Sequence, residues 1–323
     1  MTVAESIDGE AADPLGFSEE PVYLAAGDDV LFGVFVAPDG PSRGAVTLFP
    51  GAGQVTAAHR NAMFSRLARS LAGHQWSSLR MDYRGCGESS GTVEIFRLDD
   101  PHRYAAQAAL SWLGQRGIES HVLVGTCFGA RTLLSAAPDL DGLRGIVLVS
   151  PPIRDFAPNQ VKPSAQVGTL RRLGRLAWGA RLSERRKKYW RFVRGTVQLR
   201  VSALWTGLRT LSKPRVDVTS TSLLGLLEHL ARRQVPVLIF YGDTDREYED
   251  FCRATEGRLG DVLNASPSTQ LLVIPGPVHG FERLSAQDAV VDAIMKWVTD
   301  LDEPDHLGEA DAATKVTSGM GHA

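Results

Sequence analysis

The sequence predicts an α/β protein: a mostly parallel central sheet with helices on both faces. Three observations predict it. Short apolar runs alternate with segments whose apolar residues recur at helical spacing. The runs at 45–49 (AVTLF), 121–124 (HVLV), 145–149 (GIVLV) and 235–241 (VPVLIFY) are nearly continuous in apolar residues, the pattern of strands buried on both faces. Glycines, 32 in the chain, cluster just after these runs, where α/β proteins build their sites.

Taken in order, VYLAAGDDVLFGVFVAP reads as a hairpin turning at Gly27-Asp28-Asp29. A buried strand at 45–49 ends on Pro50-Gly51-Ala52-Gly53. The spacing of Met63, Leu67 and Leu71 predicts a helix over 59–72. Strand 77–81 and helix 104–113 follow, then strand 121–124, helix 128–137 and strand 145–149. Strands at 235–241 and 271–274 are each followed by a helix, the last at 289–301 with Val290, Ala293, Ile294 and Val298 on one stripe. Residues 1–18 read as a disordered leader and 302–323 as a polar disordered tail. The core is then 19–151 with 223–301. The alternation breaks over 152–222, a basic, Trp-containing stretch that reads as a helical lid inserted after a central strand.

Composition narrows the function classes. With 43% hydrophobic and 22% charged residues in 323, the chain can bury a sizeable core. No run approaches the roughly 18 apolar residues of a membrane span, and the acidic N-terminus lacks the regions of a signal peptide, so a cytosolic protein is expected. Cys86, Cys127 and Cys252 are too scattered for a disulfide framework or a zinc site. The net charge of −2 hides an asymmetry: 154–215 carry 16 Lys and Arg against Asp155 and Glu184, a net of +14, which leaves −16 for the rest. So acidic a body argues against a nucleic-acid binder.

Four segments carry chemistry. Gly125-Thr126-Cys127-Phe128-Gly129 lies between a strand and a helix, the context of a turn that presents a nucleophile. The turn leaves no room for a Cβ on either side, and the helix N-terminus favours thiolate at Cys127, predicting a pKa below the ~8.5 of a free cysteine. His279, in Pro275-Gly276-Pro277-Val278-His279-Gly280-Phe281, follows a strand and suits a general base. In Tyr241-Gly242-Asp243-Thr244-Asp245 a carboxylate can orient that histidine; Asp245 is preferred over Asp243, which also reads as a turn former. Ala52, in the early glycine loop, can aim its amide with that of Phe128 at a developing oxyanion. His59, just beyond, reads first as an ordinary residue of its element, with a substrate contact as the lesser alternative.

These residues resemble the α/β-hydrolase superfamily over about 20–300, in which nucleophile, acid and histidine follow in that order. Met81-Asp82-Tyr83-Arg84-Gly85-Cys86-Gly87-Glu88-Ser89 is similar to the family's D-x-R-G-x-G-x-S turn, which implies a structural role and no chemistry for Cys86. Within the superfamily the chain resembles serine-aminopeptidase-like hydrolases, and its cysteine elbow is similar to that of dienelactone hydrolase. The resemblance implies hydrolysis or acyl transfer through Cys127, Asp245 and His279, without metal or organic cofactor. An acyl-cysteine forms from a thioester nearly thermoneutrally, so an acyl-CoA or acyl-carrier-protein thioester is the leading substrate, with the basic lid docking its acidic carrier. An ester or lactone hydrolase, and a non-catalytic binding protein on the same fold, are the alternatives.

Overall fold

The computed structural model describes residues 16–52, 55–155 and 219–301. Residues 1–15 of the expected leader, the tail from 302, Gly53-Gln54, and the core of the basic insertion, 156–218, lie outside the described residues, while Phe17 and Ser18, expected in the leader, open the first strand. The described residues belong to one unit, made of the chain up to Asp155 and from Thr219 onward. That unit takes in 152–155 and 219–222, four residues at each end of the expected lid.

Eight strands form one sheet: β1 (Phe17–Ala26), β2 (Asp29–Pro38), β3 (Ala45–Phe49), β4 (Ser77–Met81), β5 (His121–Thr126), β6 (Leu143–Val149), β7 (Val237–Gly242) and β8 (Thr269–Ile274). Their order is β1-β2-β4-β3-β5-β6-β7-β8. The β1–β2 hairpin pairs antiparallel, β2 pairs antiparallel with β4, and every pairing from β4 to β8 is parallel. Ala26 faces Asp29 across the hairpin, so the turn is Gly27-Asp28 alone, with Gly27 at φ 66°. Strands β3, β5 and β7 are buried at every residue, as continuous apolar runs require, and so is β4 although its sequence is Ser77-Ser78-Leu79-Arg80-Met81.

Seven helices cover the sheet among the described residues: α1 (Met63–Ala72), α2 (Arg103–Gln115), α3 (Phe128–Ala136), α4 (Thr221–Arg232), α5 (Arg246–Thr255), α6 (Arg258–Asn264) and α7 (Leu284–Asp300). Two apolar layers result. One joins α2 to α6 through residues such as Leu113, Phe128, Leu133, Leu227, Phe251 and Leu259. The other joins α1 and α7 around Phe64, Leu67, Trp76, Val290 and Ile294. The helix expected over 59–72 starts four residues late. Arg60–Ala62 form a 3-10 turn, and His59, Asn61 and Ala62 take positive φ (61°, 49° and 55°). Helical spacing alone carries no signal for such a kink. The last helix starts at Leu284 rather than 289, because its first turn, with Leu284 exposed, adds little to the apolar stripe.

The turn after β4 is structural. The Asp82 carboxylate, 2% exposed, accepts the amides of Ala57 and Glu88 and so braces the segment that follows the early glycine loop. A Cβ on Gly87 would collide with that carboxylate. Cys86 is buried beneath, and its burial raises the thiol pKa.

Candidate active site

The site lies at the carboxyl ends of β3, β5, β6 and β7, where an open parallel sheet leaves room for one. Cys127 stands between β5 and α3 with φ 49° and ψ −111°. A non-glycine residue so placed stores about 1–3 kcal/mol of strain, which the surroundings must override. They do so by excluding alternatives. A Cβ on Gly125 would lie 2.5 Å from the Gly129 carbonyl carbon, and one on Gly129 would strike the Phe49 carbonyl. The Cys127 amide is fixed to the Val149 carbonyl at 2.8 Å, and its carbonyl accepts Ala130 N–H at 3.1 Å.

His279 Nε2 lies 3.4 Å from Cys127 Sγ, so the structure brings this predicted pair together across 152 residues. The predicted amides converge as well: the backbone N–H groups of Phe128 and Ala52 both reach the Cys127 sulfur.

The acid is arranged differently from expectation. Asp245 is 5% exposed, and its carboxylate accepts main-chain amides from Gly242 (3.0 Å), Val278 (3.0 Å) and His279 (3.0 Å), with the Ser150 hydroxyl at 3.2 Å. It holds the histidine loop by its backbone and leaves the ring to another group. The ring Nδ1 faces Glu247 Oε2 at 3.5 Å. The expected contact of Asp245 with the imidazole is therefore corrected to Glu247. The physical reason is that the loop's own amides saturate Asp245, while the first turn of α5 swings Glu247 toward the ring. Asp243 accepts Gly276 N–H at 2.8 Å and only ties the two loops together. The sequence signal for Glu247 is an acid in the first turn after the loop, a place that also reads as ordinary helix-dipole pairing.

The electrostatics of Cys127 also differ from expectation. Burial pushes its pKa up to about 11, and the charge of Glu247 adds to this; the Phe128 and Ala52 amides pull the other way without prevailing. Below that value the resting group is a neutral thiol, so the helix N-terminus does not produce a standing thiolate.

His59 is not a surface contact for substrate. It is 8% exposed, with its ring 4.7 Å from Phe64, 4.8 Å from Phe281, and its Nε2 3.4 Å from Thr126 Oγ1. Burial, with the charge of Arg60, lowers its pKa to about 4, so it is neutral packing between the elbow and the histidine loop. Among the described residues no cluster of three or more His, Cys, Asp and Glu is placed to hold a metal ion, and no helix is long and apolar enough to cross a membrane.

With this geometry established, comparison with known proteins decides the family. The family described as "Alpha/beta hydrolase family" matches residues 46–293. The chain belongs to that family. It is an enzyme of hydrolase type on an α/β-hydrolase fold. Similar solved structures include an esterase from Pyrococcus furiosus (16% identity, 89% of this chain and 92% of that one, TM-score 0.54). A dienelactone hydrolase from Anabaena variabilis shares 15% identity over 88% of this chain and 98% of that one, with TM-score 0.54. Est1E from Butyrivibrio proteoclasticus, solved with ferulic acid, shares 15% over 87% and 98%, also at 0.54. No curated protein matches the sequence.

Proposed function

We propose that this α/β hydrolase is a cytosolic acyl hydrolase or acyltransferase that works through an acyl-Cys127 intermediate, with a thioester as substrate. The observation that carries the reading is the 3.4 Å approach of His279 Nε2 to the Cys127 sulfur beneath two convergent amides. Cys127 S attacks the acyl carbon while His279 takes the thiol proton, and the amides of Ala52 and Phe128 hold the oxyanion. Glu247 faces the other ring nitrogen and stabilises the imidazolium. The tetrahedral adduct collapses, the bond from acyl carbon to the leaving group breaks, and His279 returns its proton to that group. Water or another acceptor then gives a proton to His279, attacks the acyl carbon, and releases Cys127, which recovers the proton.

A thioester passes its acyl group to a thiol nearly thermoneutrally, which supports a thioester substrate for Cys127. The basic stretch 154–215 fits an acidic donor such as coenzyme A or a carrier protein. A second reading, ester or lactone hydrolysis, is favoured by the likeness of the fold to an esterase and a dienelactone hydrolase. A panel of acyl-CoA thioesters, p-nitrophenyl esters and lactones, each with a Cys127→Ala control, decides between them. Thioesters with the highest kcat/KM support the first reading, and lactones or esters the second. Absence of any Cys127-dependent turnover would leave a binding protein.

A further inference from the structure

Tyr83 lies two residues past β4, in the turn that reads as structural, and is fully buried. Its hydroxyl reaches the Pro50 carbonyl at 3.0 Å and the Thr132 hydroxyl at 3.4 Å. A phenol has one proton, and a carbonyl can only accept. The proton therefore goes to Pro50, which leaves the Thr132 hydroxyl to donate to the Tyr83 oxygen. Burial raises the phenol pKa above its ordinary value, so the donor persists over the pH range of an assay. The ring is wedged among Phe96, His102 and Phe128, at centroid distances of 5.8, 5.2 and 5.8 Å.

These contacts join the two segments whose amides converge on the Cys127 sulfur. Pro50 stands two residues before Ala52, and Thr132 stands one turn along α3 from Phe128. One side chain thus touches both the loop that carries the Ala52 amide and the helix that carries the Phe128 amide. The two segments already meet at Gly129, where an added Cβ would lie 2.6 Å from the Pro50 carbonyl oxygen. That contact limits how closely they approach but not how the Pro50 peptide plane is turned. Gly51, with the wide backbone freedom of glycine, separates Pro50 from Ala52, so the direction of the Ala52 amide needs a tie on the side of Pro50. The Tyr83 hydroxyl supplies that tie.

We propose that Tyr83 is a positioning residue: its hydroxyl, held on the Pro50 carbonyl, aims the Ala52 amide alongside that of Phe128 and so sets how strongly the site stabilises an oxyanion on a carbon bound to the Cys127 sulfur. This role deepens the reading of Cys127 as nucleophile and rests on it. Tyr83→Phe removes the hydroxyl and keeps a ring among Phe96, His102 and Phe128. The Ala52 amide is then misdirected rather than lost, so the effect falls short of the roughly 10²–10³-fold cost of deleting an oxyanion donor. A side chain that only held the fold together would change the folded fraction and leave the folded enzyme's hold on an oxyanion as it was.

An alkyl trifluoromethyl ketone, with the chain length of the best p-nitrophenyl ester, tests it. The Cys127 sulfur adds to the ketone carbon, the carbonyl π pair moves onto oxygen, and the thiol proton goes to His279. The adduct holds an oxyanion but no leaving group, so the reaction stops there. Fluorine NMR of the trifluoromethyl group identifies the adduct by its loss in Cys127→Ala. Alkylation of Cys127 by iodoacetamide, followed by mass spectrometry of its peptide, is the control, because the sulfur displaces iodide without making an oxyanion. At equal folded fraction, Tyr83→Phe is expected to raise the Ki of the ketone about tenfold and to lower kcat on the ester by a similar factor, with KM and the alkylation rate within about threefold of the parent. Thr132→Val, which removes the second hydroxyl holding the phenol in place, is expected to show the same selectivity at about threefold, and it decides if Tyr83→Phe does not fold. A Ki unchanged in the folded variant, or a fall in alkylation as large as the rise in Ki, overturns the proposal. A parent enzyme that forms no adduct overturns the reading of Cys127 and the role of Tyr83 with it. A parent adduct that Tyr83→Phe forms equally well overturns the role of Tyr83 alone.

Discussion

The elbow at 125–129 and the acid loop at 242–247 both end a central strand, yet they hold their functional groups in opposite ways. At the elbow a short-range constraint leads, since a Cβ on Gly125 would meet Gly129 and Ala130 and a helix begins at once, while the remote Phe49 carbonyl and Val149 only close the turn around it. In the acid loop the constraints come from far along the chain. Asp245 is placed by the amides of 278 and 279 and by Ser150, and Glu247 by a ring 32 residues downstream. A group fixed by its neighbours can be assigned from spacing. A carboxylate whose role depends on which atoms of a remote loop it meets cannot be.

The comparison can be broken at either end. Cys127→Ala should lower kcat by at least ~10³-fold on the best substrate, the scale for a nucleophile in a coupled site, with an unchanged melting curve. At the acid loop, Glu247→Gln should lower kcat on the order of 10²-fold while stability holds, as expected for a group that acts through a positioned base. Asp245→Asn should act mainly on the fold. Removing the charge from a carboxylate that accepts three buried amides should cost about 2 kcal/mol in urea unfolding at neutral pH. If, at equal folded fraction, Asp245→Asn is the more damaging in kcat, the roles of the two acids are reversed.

The elbow's electrostatics sharpen the contrast. The folded Cys127 thiol is raised to about 11, so the nucleophilic thiolate becomes plentiful only as pH climbs toward that value. Iodoacetamide labelling of Cys127 in His279→Ala should keep accelerating above pH 9, and a plateau by pH 8 would restore a standing thiolate. The smallest expected effect belongs to the basic stretch. Changing Arg185, Arg186, Lys187 and Lys188 to Glu should raise KM severalfold for an acyl-CoA but not for a p-nitrophenyl ester. The difference should vanish as the screening length falls from ~10 Å at 0.1 M salt to ~3 Å at 1 M.

The same division between near and remote constraints explains which features are legible in the amino-acid sequence. The continuous apolar runs point to the parallel strands, and the helical stripes to the covering helices, because burial imposes those periods directly. Cys127, His279, Ala52 and Phe128 are legible because each follows a strand by a fixed short path. Glu247 is not, since a first-turn acid is ordinary in any helix. The place of His59 after the glycine loop leaves a substrate contact open as an alternative. Its left-handed backbone, which turns the ring inward between Phe64 and Phe281, leaves no mark in composition.

The central claim is that Cys127 carries the acyl group. Mass spectrometry of the protein, quenched in acid within its first turnovers on an acyl thioester or p-nitrophenyl ester, tests it most directly. The account predicts one added acyl group, on the peptide containing Cys127, absent in Cys127→Ala and slow to form in His279→Ala. Acylation on another residue, or turnover in Cys127→Ala at the parent rate, would contradict it.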